Sequence, residues 1–138
     1  LVVKLWASSD SPDTDFTAKL IDVYPPSTNF PAGIDLNIGD GIVRARYRNG
    51  PTTEAQTLER GKPYEFTIEM YPTSILFRRG HRLRLDISSS NFPRFDVNPN
   101  TGEPLNDNRS SRIAENTVYL DPAHPSRILL PVIPAQAH

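Results

Sequence analysis

The chain reads as an all-β protein, an antiparallel β-sandwich or jelly roll with long loops, and three observations predict it. Six or more segments have strand length and either alternate apolar with polar residues or run apolar throughout. Clusters of Pro, Gly and Asn separate them at roughly regular intervals. Fourteen prolines stand in 138 residues, about twice the usual share of roughly 5%. Prolines break helix interiors but suit loops and strand edges, and no window shows a convincing helical period.

Residues 1–7, Leu1-Val2-Val3-Lys4-Leu5-Trp6-Ala7, are apolar on both faces and predict a sandwiched strand. Residues 14–24 place Phe16, Ala18 and Leu20 on one side with Ile21 and Val23 on the other, and Pro25-Pro26 stops them. Residues 27–37 read as a loop, and Gly39-Asp40-Gly41 as a turn. Residues 42–48 set Val43, Ala45 and Tyr47 against Arg44, Arg46 and Arg48, before the turn Asn49-Gly50-Pro51. Residues 62–71 point Tyr64, Phe66, Ile68 and Met70 inward and Glu65, Thr67 and Glu69 outward. Residues 81–88 alternate Leu83, Leu85 and Ile87 with Arg82, Arg84 and Asp86. A long polar loop follows to about Asn116, then strands over 117–120 and 127–133. Residues 51–60 and 110–115 each have room for a short turn of helix. Each alternating strand must bury one face, which a second sheet provides.

At this length residues 1–138 fit a single β-sandwich domain with a real core. A net charge of −1 gives no electrostatic case for nucleic acid or an anionic membrane. No apolar run approaches the roughly 18 residues of a membrane span, and no signal-peptide pattern is visible. The absence of cysteine excludes disulfides and thiolate metal sites without fixing a compartment, the cytoplasm being favoured. The only methionine is Met70, and the chain opens in what reads as mid-strand. The expectation is a domain from a longer polypeptide with more chain upstream, removal of a leader peptide being the alternative.

Catalytic signals are missing. There is no G-x-S-x-G elbow, and of three histidines His138 ends the chain, His81 leads into a strand and His124 lies in the proline-braced turn Asp121-Pro122-Ala123-His124-Pro125-Ser126. No catalytic residue and no cofactor-binding residue is assigned. Asp96-x-Asn98-x-Asn100 is the one metal-like pattern, a weak calcium candidate: the sixth position is Thr101, Gly102 comes one late, and the twelfth is Asp107 where glutamate would serve. Asn and Asp favour turns for local reasons too. The arginine rows, Arg44/Arg46/Arg48 and Arg78/Arg79/Arg82/Arg84, read as a solvated ladder partnered across strands by Glu65 and Glu69. The aromatic residues Trp6, Tyr24, Tyr47, Tyr64, Tyr71 and Tyr119 fall mainly at strand positions, where core packing is the first reading and a sugar platform the second.

Gly80-His81-Arg82-Leu83-Arg84-Leu85, followed by Ser88-Ser89-Ser90-Asn91-Phe92-Pro93-Arg94 and Asn98-Pro99-Asn100-Thr101-Gly102, resembles the C-terminal domain of the cocaine esterase and X-Pro dipeptidyl-peptidase family of serine hydrolases. Asp13-Thr14-Asp15-Phe16, Lys19 to Pro25, Gly41 to Arg48, Thr117 to Asp121 and His124 to Pro131 are similar to it in the same order. The resemblance implies a galactose-binding-like jelly roll that packs on an upstream α/β-hydrolase domain of the same chain and walls its substrate cleft, the catalytic triad lying in that upstream domain. It further implies an interdomain or cleft-lining role for Ser90, Asn91, Phe92, Pro93, Arg94, Asn98, Asn100 and Thr101. The alternative is a stand-alone carbohydrate-binding module. No nucleic acid or membrane partner is expected, and a homo-oligomer is left open.

Overall fold

In a computed structural model, described here for residues 1–104, 107 and 110–134, the chain is an antiparallel two-sheet β-sandwich. His138 lies outside the described residues. Seven strands occur among them: β1 (Val2–Ser9), β2 (Asp15–Tyr24), β3 (Ile34–Arg44), β4 (Tyr64–Glu69), β5 (Arg82–Ser88), β6 (Asn116–Tyr119) and β7 (Arg127–Leu129). One sheet runs β4-β1-β6, with β7 also on β1 beside β6; the other runs β3-β2-β5. β6 and β7 share one edge of β1 end to end, since β6 pairs with Trp6 to Ser9 and β7 with Val2 to Lys4.

The alternation read from sequence sets the core. Val3, Leu5 and Ala7 of β1 meet Phe66 and Ile68 of β4 and Phe16, Ala18 and Leu20 of β2, all essentially inaccessible. Phe16 and Phe66 rings touch across the sheets at 4.8 Å between centroids. Tyr64 and Leu85 pack against this cluster while partly exposed.

Three expectations are corrected. Strand β3 begins at Ile34 and runs through Gly39-Asp40-Gly41 without turning. Those small residues let β3 approach β4: a Cβ on Gly41 would sit 2.2 Å from the Glu69 carbonyl oxygen. A register shift opposite Leu20/Ile21 also breaks the alternation that would have marked the strand. The strand then ends at Arg44, and Ala45–Tyr47 form a 3₁₀ turn. Arg46, within that turn, is only 6% exposed, held by Asp13 and the Glu103 carbonyl beneath the later loop rather than on a solvated strand face. No helix occurs within 51–60 or 110–115.

Candidate functional site

Successive side chains of a strand point to opposite faces, so with Phe16, Ala18 and Leu20 in the core, Asp15, Thr17 and Lys19 face away from it. An outer face is normally wet. Here Asp15 and Thr17 are each 1% exposed, because the polar segment after β5 folds back and covers them.

Two anchors hold this cover. Asn91 donates its amide to Asp40 Oδ2 at 2.9 Å, and Arg94 Nε lies 3.2 Å from Asp40 Oδ1. Asp40 is buried and belongs to β3. Further along, Asn98 is buried and donates one amide nitrogen to Asp13 Oδ2 at 3.0 Å and Asp15 Oδ1 at 2.8 Å. The same two carboxylates receive the arginines. Arg46 donates its backbone N–H and its Nε to Asp13 at 2.9 and 2.7 Å, and another guanidinium nitrogen to the Glu103 carbonyl at 2.9 Å. Arg44 forms a two-pronged bond to Asp15 at 2.9 and 3.0 Å, and this bond raises its guanidinium pKa above the ordinary value. Two positive and two negative charges thus meet at one site, Asp13, Asp15 and Arg46 buried and Arg44 a quarter exposed, with Asn98 bridging the carboxylates.

The remaining candidates shape the loop. Asn98 Oδ1 accepts the Asn100 backbone N–H at 2.9 Å, an Asx turn that places Asn100 at φ 64°. Asn100 then donates its amide to the Arg112 carbonyl at 2.9 Å. Thr101 Oγ1 donates to Glu103 Oε2 and accepts the Glu103 N–H. Ser90 Oγ accepts the Phe92 N–H at 3.4 Å, and the Phe92–Pro93 peptide is cis. As for calcium, the Asn98 and Asn100 amides are engaged within the protein as described while Asp96 is exposed. Among the described residues no three His, Cys, Asp or Glu side chains converge as a metal would need.

The loop turns polar and apolar side chains outward, with Ser89, Ser90, Arg94 and Asp96 exposed beside two large apolar residues. Phe92 is 68% and Val97 60% exposed. The Arg94 guanidinium lies 5.5 Å from the Tyr71 ring centroid and 5.7 Å from that of Phe95. Phe95 separates two shallow depressions, one of about 360 Å³ towards Met70, Tyr71 and Pro72 and one of about 480 Å³ towards Arg44, Tyr47 and Asp96.

The histidines sit elsewhere. His81 Nδ1 lies 2.9 and 3.1 Å from the two oxygens of buried Asp22, its ring 4.1 Å from that of Tyr24. His124 meets Asp121 at 3.2 Å and packs at 5.1 Å from both Trp6 and Tyr119. Burial acts against the Asp121 carboxylate, but hydrogen bonds from His124 and the Ala123 backbone leave its pKa below the usual value. Trp6 therefore stands on the outer face of its sheet, edge-on to His124 at 65°, and not in the core.

The arginine ladder is also corrected. Arg44 and Arg46 pair with Asp15 and Asp13, and Arg84 with Asp35 and Asp86. Glu65 meets Lys4 and Arg127. Asp13, Asp15 and Asp40 are the site residues that sequence reasoning missed. Their signal was present: Asp-x-Asp leading one strand and Arg-x-Arg ending its neighbour are complementary at the same spacing.

The chain matches, over residues 1–129, the family described as the X-Pro dipeptidyl-peptidase C-terminal non-catalytic domain. It is 43% identical over 132 residues to cocaine esterase from Rhodococcus sp. (strain MB1 Bresler), covering 94% of this chain and 22% of that protein. Among solved structures, an α-amino acid ester hydrolase superposes with a TM-score of 0.83 at 34% identity, over 91% of this chain and 21% of that one. An aminopeptidase from the marine sediment archaeon Thaumarchaeota archaeon gives 0.82 at 32% identity, with the same shares. The chain thus spans about a fifth of the length of each of these relatives.

Proposed function

Since the chain belongs to the family of X-Pro dipeptidyl-peptidase C-terminal non-catalytic domains, we propose that residues 1–138 serve as the C-terminal β-sandwich of a longer serine hydrolase, an acyl esterase or X-Pro dipeptidyl-peptidase relative. In this reading the sandwich packs on an α/β-hydrolase domain of the same polypeptide, and the loop from Ser88 to Gly102 lines its substrate cleft. The chemistry belongs to that partner, where a serine activated by histidine would form an acyl-enzyme opposite an oxyanion hole.

The observation that carries the reading is the division of labour in the loop. Asn91, Arg94 and Asn98 hold it on the sheet, while Phe92 and Val97 are left facing outward. An apolar side chain on an immobilised loop is suited to a docking or cleft surface. The carbohydrate alternative gains no support, because Trp6, Tyr119 and His124 pack tilted on one another and offer no flat platform.

The test has two arms. The 138-residue chain alone is expected to leave an activated ester unhydrolysed, and serine-dependent turnover by it would overturn the reading. In the natural longer polypeptide, Phe92→Ala is expected to change KM or kcat by roughly tenfold, as loss of a buried apolar contact of about 1.4 kcal/mol would. Kinetics unchanged in that variant would remove the loop from the cleft.

A further inference from the structure

The sandwich is closed along one side and open along the other. On the closed side β3 crosses β4 at Gly41 with no room for a Cβ, and Phe66 and Ile68 beside it are wholly buried. On the opposite side β5 pairs with β2, and β6 and β7 with β1, and among the described residues no strand lies beyond them. Both sheets therefore end there in an unpaired ladder edge.

Burial follows the same asymmetry. Register places Leu83 opposite Asp22 and Val118 opposite Ala7, on the faces that look into the sandwich, yet they are 44% and 43% exposed. A cleft of about 190 Å³ opens between the sheets, lined by Phe16, Ile87, Asn116 and Val118 among others. Asn116 donates its amide to Thr14 Oγ1, but its Oδ1 is buried without a partner. Ile113 and Leu120, which bracket β6, are 93% and 80% exposed. Exposed apolar core positions beside an unpaired edge are a template for another strand.

We propose that this opening receives an extended segment of the same polypeptide from outside residues 1–138, which pairs with the edge of β5 and covers Leu83, Ile87 and Val118. The inference rests on the reading above that the chain is part of a longer hydrolase. The matched stretch makes up 21–22% of the relatives, so most of such a polypeptide is available to supply it. Strand addition satisfies a row of backbone N–H and C=O groups at once, and a covalently linked segment reaches the edge at high effective concentration. A second copy fits less well. Two-fold pairing of β5 with β5 would bring two identical clefts side by side and fill neither.

Residue-resolved amide hydrogen exchange on the natural longer polypeptide tests this without any variant. An edge strand has only alternate amides bonded to its neighbour. A covered β5 is expected to slow every amide from Leu83 to Ile87 by roughly 100-fold or more. Slow exchange at alternate positions only would overturn the proposal. Sedimentation of the same sample decides the occupant: full protection in a monomer supports the internal segment, whereas protection that grows with a dimer fraction assigns the edge to a second copy and overturns it. A Phe92→Ala kinetic effect alongside alternate-only protection would sink the edge proposal alone and leave the domain reading standing.

Discussion

Asn98 brings one amide nitrogen to two buried carboxylates at once, within 3.0 Å of both. Removing it leaves Asp13 and Asp15 each short of a donor in a site that water barely reaches. Asn98→Ala is expected to lower unfolding free energy by roughly 1–3 kcal/mol, the cost of leaving buried acceptors unsatisfied, as read from urea melts at neutral pH. Asn98→Asp should be worse at pH 7, because a third carboxylate joins two others, and the gap between the two variants should narrow in acid as protonation relieves the repulsion. Equal melts for the two variants at pH 7 would show that the cluster does not feel the added charge. Sequence patterning reached these residues only in part. Asn98 stood out as a loop residue and Arg44 and Arg46 as a row, but their partners were assigned to Glu65 and Glu69. The error came from reading this face as solvated, whereas the loop covers it and Arg44 and Arg46 meet Asp15 and Asp13 beneath that cover.

At the level of elements, strands with strict alternation were legible, and β4 and β5 start and stop within two residues of expectation. β3 was not, since the alternation of Ile34 to Ile38 is short and runs straight into the turn-forming residues Gly39-Asp40-Gly41. Its small side chains answer to a neighbouring strand, which local pattern does not reveal. Gly41→Ala tests this directly: the clash is with backbone, so no side-chain rotation relieves it, and a loss of roughly 1–3 kcal/mol is expected from overpacking. A melt unchanged from wild type would mean that β3 and β4 can separate freely. The far end of the long loop is fastened differently. Asp10, just beyond β1, accepts the Glu115 backbone N–H and the Ser11 hydroxyl and meets Arg112 at 3.2 Å. These bonds, the backbone one first, hold its carboxyl below the usual aspartate value. A depressed folded-state pKa adds stability that is complete above the unfolded pKa and fades as pH falls through the folded one. The tether should thus loosen below about pH 4, the ordinary aspartate range. Asp10→Asn is expected to flatten the acid limb of the stability curve, and an identical limb in the variant would show that the tether carries no pH dependence.

For the molecule as a whole, composition and alternation sufficed to name an all-β sandwich, and the missing motifs agree with a non-catalytic domain family. What they did not reveal was which side of the sandwich stays open, because a strand's own residues do not say whether a further neighbour joins it. That opening bears on solution behaviour. With a net charge of −1 and an isoelectric point near 6.3, little repulsion keeps copies apart at Leu120, Ile113 and the cleft. Light scattering of the 138-residue chain is expected to show larger particles near pH 6.3 than at pH 8.5. Equal sizes at both values would mean that these side chains do not drive association. The anchoring of the loop also has a meaning for redesign. Asp40 fixes positions 91 and 94, and Asp13 with Asp15 fixes position 98, so the arcs between them are bounded by independent fasteners. A combinatorial library confined to positions 92–93 and 95–97 could therefore diversify the presented surface while the scaffold beneath keeps its shape, much as interchangeable tips fit one handle.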